Sequence, residues 1–127
     1  MATQIGKAHR GKEEPIRSRL KSGCILEAAL QVIGGRWKVV IIHYLLERKL
    51  RYGELRRAVP ACTQRVLTLQ LRELERDELV KRTVYAEVPP RVEYELTAFG
   101  RSLKPVLERL GEWGERYRKR LPGEPAL

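Results

Sequence analysis

Leu67, Leu71 and Leu74 recur at i, i+4 and i+7 within QRVLTLQLRELERDE, and no other feature of the chain constrains its fold as tightly. The spacing predicts a helix over 64–78 with one apolar stripe, supported by Val66 and Leu79. Gln64, Arg65, Thr68, Leu69 and Arg72 fall on the opposite face, and Thr63 is a good N-cap. Upstream, Leu50–Arg51 reads as a short strand and 52–59 as a short helix. That helix stops before Pro60, because the residue preceding a proline avoids the helical region. Downstream, 80–87 alternates apolar and polar residues, and Arg91–Leu96 alternates again. Pro89 and Pro90 between them cannot continue a ladder, which predicts an antiparallel hairpin with a stiff tip. Helix, tight turn, helix and hairpin, in that order, make a helix-turn-helix followed by a wing. The exposed second helix of such a unit fits the major groove of duplex DNA.

The segments around this unit are helical too. In 24–33, apolar residues occupy two faces: Ile25, Ala29 and Val32 on one, Leu26, Leu30 and Ile33 on the other. A surface helix needs one stripe, so the second face implies a second subunit. Gly34 and Gly35 end it. Residues 37–47 are almost continuously apolar. Their β-branched run also fits a strand, but length and the preceding glycines favour a buried helix. His43 within it is expected in the core or at an interface. Thr97 is expected to cap one last long helix, on which Phe99, Leu103, Val106, Leu107, Leu110, Trp113 and Tyr117 follow helical spacing. Pro105 falls inside that pattern and is expected to bend it. The stripe outlasts what a small domain needs for its own cover. Leu26, Leu30, Leu103, Val106, Leu107, Leu110, Trp113 and Tyr117 are therefore expected at a homodimer interface, with a helix folded on its own core as the alternative.

The fold class is mainly α with a small β-hairpin (α+β): a winged helix-turn-helix whose terminal helices dimerise. The expected organisation is a flexible basic arm over 1–22, the domain with its dimerisation helices over 23–121, and a frayed tail over 122–127. The chain has 127 residues, 43% of them hydrophobic, enough for one real core. Its net charge of +10 calls for a polyanionic partner. No apolar run is long enough to span a bilayer and no signal-peptide core is present, so a cytoplasmic protein without membrane contact is expected. Cys24 and Cys62 are too few for a disulfide framework, and with His9 and His43 they complete no metal spacing. No phosphate-binding, nucleophile-elbow or metalloprotease motif occurs. No cofactor, metal or catalytic residue is expected.

Together GGRWKVVIIHYLL, RYGELRRAVPACTQRVLTLQLRELERDELVKR, VPPRVEYELTAFGRSLKPVL and EWGE resemble the HxlR-type winged helix-turn-helix transcription regulators, over about 24–117. The resemblance implies a homodimeric DNA-binding regulator with the helix from Gln64 in the major groove and the hairpin tip as the wing. It implies that Cys24, at the position of a cysteine preceding the first helix, is a candidate thiol sensor. In some family members that thiol responds to oxidants, quinones or aldehydes. Two departures stand out. The family cysteine is usually followed by proline, and here Ile25 follows, which leaves a sensor and an inert packing residue both open. Glu78 replaces a glycine at the end of the recognition helix, where a left-handed turn would cost up to ~1 kcal/mol. The candidate DNA-contacting residues are Thr63, Gln64, Arg65, Thr68 and Arg72 on the helix and Arg91 on the wing. The expected partners are double-stranded DNA, a second copy of the chain, and a small-molecule or oxidant effector. Repression is the default expectation. A winged-helix module that binds protein or RNA is the competing class. A thiol enzyme is a third, disfavoured because no base is evident beside either cysteine.

Overall fold

The computed structural model describes residues 2–4 and 23–123. The elements are β1 (Ala2–Gln4), α1 (Ile25–Ile33), α2 (Lys38–Leu45), β2 (Leu50–Arg51), α3 (Tyr52–Ala58), α4 (Gln64–Arg76), β3 (Val80–Tyr85), β4 (Arg91–Leu96), α5 (Ala98–Arg101) and α6 (Lys104–Arg120). This is the expected mainly helical winged fold. The sheet is antiparallel in the order β1-β3-β4-β2, and the hairpin register runs from Val80 opposite Leu96 to Tyr85 opposite Arg91.

The core is built from α2, α3, α4 and the base of the hairpin. Ile41, Ile42 and Leu45 of α2 share one buried cluster with Leu55, Leu67, Leu71, Leu74, Leu79, Val80, Tyr94 and Leu96. The 37–47 segment is thus the buried helix its length favoured. His43 is not in that core: it lies exposed on α2 with its ring edge-on to Tyr44. Ile41, Ile42 and Leu45 are buried, Val40 packs partly against the same core, and the helix is open at His43 and Tyr44.

Two boundaries differ from the expectation in ways that change the organisation of the chain. Ala2–Gln4, inside the arm read as flexible, forms an edge strand against β3, with Ala2 opposite Tyr85 and Gln4 opposite Thr83. Backbone pairing needs no apolar periodicity, so the sequence pattern carried no sign of it. The remaining expectations for the arm and for the tail past 123 fall outside the described residues. The expected last long helix is two helices, α5 and α6, separated by Ser102 and Leu103. Pro105 does not bend a continuous helix. It sits in the first turn of α6, where its missing N–H has no intrahelical partner to lose.

Two backbone positions hold the wing and α5 in place. Glu78 adopts φ 63°, so the left-handed turn after α4 is kept without glycine. Thr97 donates to the Glu78 carbonyl at 2.7 Å and accepts from the Gly100 amide at 3.0 Å, tying that turn to α5. Gly100 is buried, and a Cβ there would overlap the Leu79 carbonyl oxygen. Both atoms belong to rigid backbone, so relief requires α5 to move off the sheet. Gly100→Ala is expected to cost about 1–3 kcal/mol in urea unfolding. A variant as stable as the parent would show that α5 is not tightly seated.

Candidate nucleic-acid interface

α4 owes its direction to contacts along its length. Thr63 caps it in extended geometry, its hydroxyl accepting from the Val66 amide at 3.2 Å. Leu67, Leu71 and Leu74 are almost fully buried. Tyr52, from the start of α3, reaches across the turn. Its hydroxyl donates to the Gln64 carbonyl at 3.3 Å and lies 3.1 Å from the Thr68 hydroxyl. Sequence reading assigned no role to Tyr52. Its position twelve residues before Gln64 carries no periodic signal, since only the turn brings the two together.

The opposite face is open. Gln64, Arg65, Leu69 and Arg72 are exposed, and Thr63 is exposed at the helix start. Among the described residues no carboxylate pairs with Arg65 or Arg72. Thr68 is half-buried, its hydroxyl engaged by Tyr52. Arg56 and Arg57 are exposed at the end of α3, the other helix of the helix-turn-helix.

The wing tip is arranged differently from the expectation. Val88 is fully exposed there. Arg91 folds back onto the hairpin instead of projecting from it. Its guanidinium lies 4.1 Å over the Tyr85 ring, 3.2 Å from Glu87 and 3.8 Å from Glu93. Glu93 is largely buried and is also 3.5 Å from Lys49. A phosphate reaching Arg91 would compete with two carboxylates. Arg82 lies directly across the strands from Tyr94.

Large apolar residues are exposed as well, on α1 and on α6. Leu26 and Leu30 of α1 and Val106, Leu110, Trp113 and Tyr117 of α6 are each at least half exposed. Trp113 and Tyr117 stack with ring centres 5.5 Å apart. Leu103 and Leu107, expected on this surface, are half-buried against the domain's own core. They lie on the inner side of the amphipathic stripe, which the sequence spacing alone did not divide.

The cysteines separate by burial. Cys24 is exposed at the N-cap of α1, whereas Cys62 is buried in the turn between α3 and α4. Among the described residues no cluster of His, Cys, Asp or Glu has the makings of a metal site. No helix among them is long and apolar enough to cross a membrane.

Comparison with known proteins agrees with this geometry. The model of the HxlR-like helix-turn-helix family matches residues 32–122. The chain belongs to the HxlR-like helix-turn-helix family. It is 52% identical over 99 residues to the HTH-type transcriptional regulator YdeP of Bacillus subtilis (strain 168), covering 78% of this chain and 77% of YdeP. It is similar in structure to the redox regulator HypR in its oxidized form, with TM-score 0.70, 53% identity, and coverage of 73% of this chain and 96% of HypR. It is also similar to the reduced form of the regulator YodB from B. subtilis, with TM-score 0.67, 33% identity, and coverage of 76% and 95%. As an HxlR-type protein the chain is a helix-turn-helix transcriptional regulator, and its family is one of regulators, not of enzymes.

Burial pushes the Cys62 thiol above its ordinary value of 9.0, against the opposing charge of Arg36. Burial likewise raises the Tyr94 phenol above 10.0, outweighing the hydrogen bond and charge of Arg82. Both groups ionise more readily in the unfolded chain than in the fold. Their contribution to stability is therefore fully present below the unfolded values and is lost as pH rises through the folded ones. The urea midpoint is expected to fall between about pH 8 and about pH 11 on account of these groups. A midpoint that is flat or rising over that range would contradict their burial in neutral form.

Proposed function

We propose that this HxlR-type regulator binds duplex DNA sequence-selectively as a homodimer, with one α4 in each of two successive major grooves of a pseudo-palindromic operator. The observation that carries this reading is the open polar face of α4, on which Arg65 and Arg72 have no carboxylate partner among the described residues. Arginine meets guanine O6 and N7 bidentately, and glutamine meets adenine N6 and N7. Gln64 and Arg65, in the first turn of α4, are the base-reading candidates. The Thr68 methyl suits a thymine methyl, and Arg72 completes the face. Thr63 fixes the helix start. Lysines and arginines around them, Arg56 and Arg57 included, supply phosphate contacts and counterion release. Arg91 organises the wing and reaches phosphate only by leaving Glu87 and Glu93.

Homodimerisation is supported by the apolar surface formed by Leu26, Leu30, Val106, Leu110, Trp113 and Tyr117. Aromatic anchors of this kind are enriched at the centres of interfaces. Repression follows if the occupied operator overlaps a promoter, and the protein carries this out in the cytoplasm. Cys24 is the proposed sensing thiol. It is exposed, it starts the same helix that carries Leu26 and Leu30, and an oxidant or electrophile that modified it would act on the interface. The likeness to HypR, a redox regulator, supports this assignment.

The test is selection of binding sites from a random duplex pool, with excess competitor DNA, before and after mild thiol oxidation. Wild-type protein is expected to enrich a two-fold-symmetric sequence and to lose it on oxidation, while Cys24→Ser keeps it. Arg65→Ala is expected to cost about 1–3 kcal/mol and to relax the preference at one base position per half-site. A uniform loss across all sequences would make Arg65 a phosphate contact. Enrichment of no sequence would overturn DNA-selective binding in favour of an interaction module for protein or RNA.

A further inference from the structure

Lys38 breaks two local rules. It is the first residue of α2, where the helix dipole disfavours a cation, and no acidic residue lies in that first turn. Among the described residues it is also the one charged side chain that is buried. What compensates both is Glu73 of α4, whose Oε1 lies 2.6 Å from the Lys38 Nζ. The lysine side chain is 8% exposed and the glutamate 29%, so the pair sits at the rim of the core.

Its location matters more than its strength. α2 touches α4 on one side and α6 on another, standing between the recognition helix and a helix of the apolar surface. The two helices also share an aliphatic cluster, to which α2 gives Ile41, Ile42 and Leu45 and α4 gives Leu67, Leu71 and Leu74. Aliphatic contacts of this kind tolerate repacking with little penalty and lose uniqueness before stability. A buried ion pair does not, because a shift that parts the two groups leaves the Lys38 charge buried without its partner. Glu73 is also the neighbour of Arg72, so where Lys38 holds Glu73 it sets the rotation of the polar face.

We propose that Lys38 and Glu73 are positioning residues for DNA recognition: the pair fixes the register and rotation of α4 against α2, and through α2 against the dimer surface. This rests on the reading of α4 as the DNA-reading helix. A buried ion pair contributes little net stability against apolar residues of the same volume. A pair kept for stability alone would therefore be replaceable without consequence, whereas a positioning pair would not.

The decisive variant is the double substitution Lys38→Met with Glu73→Leu, which leaves the net charge unchanged. Wild type and variant are taken through the same selection from a random duplex pool, with urea unfolding and sedimentation alongside. The variant is expected to be as stable as wild type or more so, to dimerise equally, and to bind random duplex with the same salt slope. Its ratio of selected to random affinity is expected to fall by about tenfold or more, with a broadened optimum of half-site spacing. Should the double variant misfold, Glu73→Gln keeps the shape of the side chain and is expected to give a smaller loss in the same ratio. A folded variant with wild-type selectivity and spacing would overturn the proposal alone. A wild type that selects no sequence would overturn the reading beneath it as well.

Discussion

Leu67, Leu71 and Leu74 hold one side of α4 in the core with Ile41, Ile42 and Leu45 of α2, and the other side of α4 is presented to solvent because of it. Every further feature of the site refines this one contact. Thr63 and Tyr52 fix the N-terminal turn, Lys38 grips the helix at Glu73, and the left-handed Glu78 turns the chain into the wing. A helix of thirteen residues is marginal alone in water, so its shape here depends on this tertiary packing. The backbone of the polar face is thereby already formed before any partner arrives, which leaves mainly side-chain ordering to be spent on binding.

The charge distribution has its own logic. The wing is rich in internal pairs: Arg91 with Glu87 and Glu93, Lys49 with Glu93, and Lys81 with Glu95. The α4 face keeps arginines that nothing in the described fold neutralises. Positive charge is thus left open on α4 and internally balanced on the wing, a difference that supports the proposal of α4, and not the wing, as the groove-reading element. The wing tip carries the exposed Val88.

Much of this was legible in the sequence because it rests on local periodicity. The leucine spacing gave the buried face of α4, Thr63 its start, Pro60 the end of α3, and the alternation around Pro89 and Pro90 the hairpin. For Glu78 the sequence left open whether the left-handed turn is kept or altered, and it is kept. What stayed hidden depends on contacts between distant residues. Lys38 reads as a cation in an apolar run and discloses no partner until α4 brings Glu73 beside it. Tyr52 reads as an ordinary first-turn residue until the turn folds it onto Gln64 and Thr68. Arg91 looked like a projecting wing charge because its two carboxylates become neighbours only through the hairpin. Leu103 and Leu107 could not be told from Val106 and Leu110, since one amphipathic stripe serves both the domain's own core and an outer face. Pro105 was read inside a helix because apolar spacing continues across the break, although the first turn of a new helix suits it better.

In the proposed homodimer, two α4 helices stand at one fixed spacing. The most direct measurement is hydroxyl-radical footprinting of the wild-type protein on a sequence it selects. Two protected patches on one face of the duplex, related by two-fold symmetry with centres roughly 34 Å apart, are the result this account requires. A single patch, or protection that spreads evenly along the duplex, would contradict it.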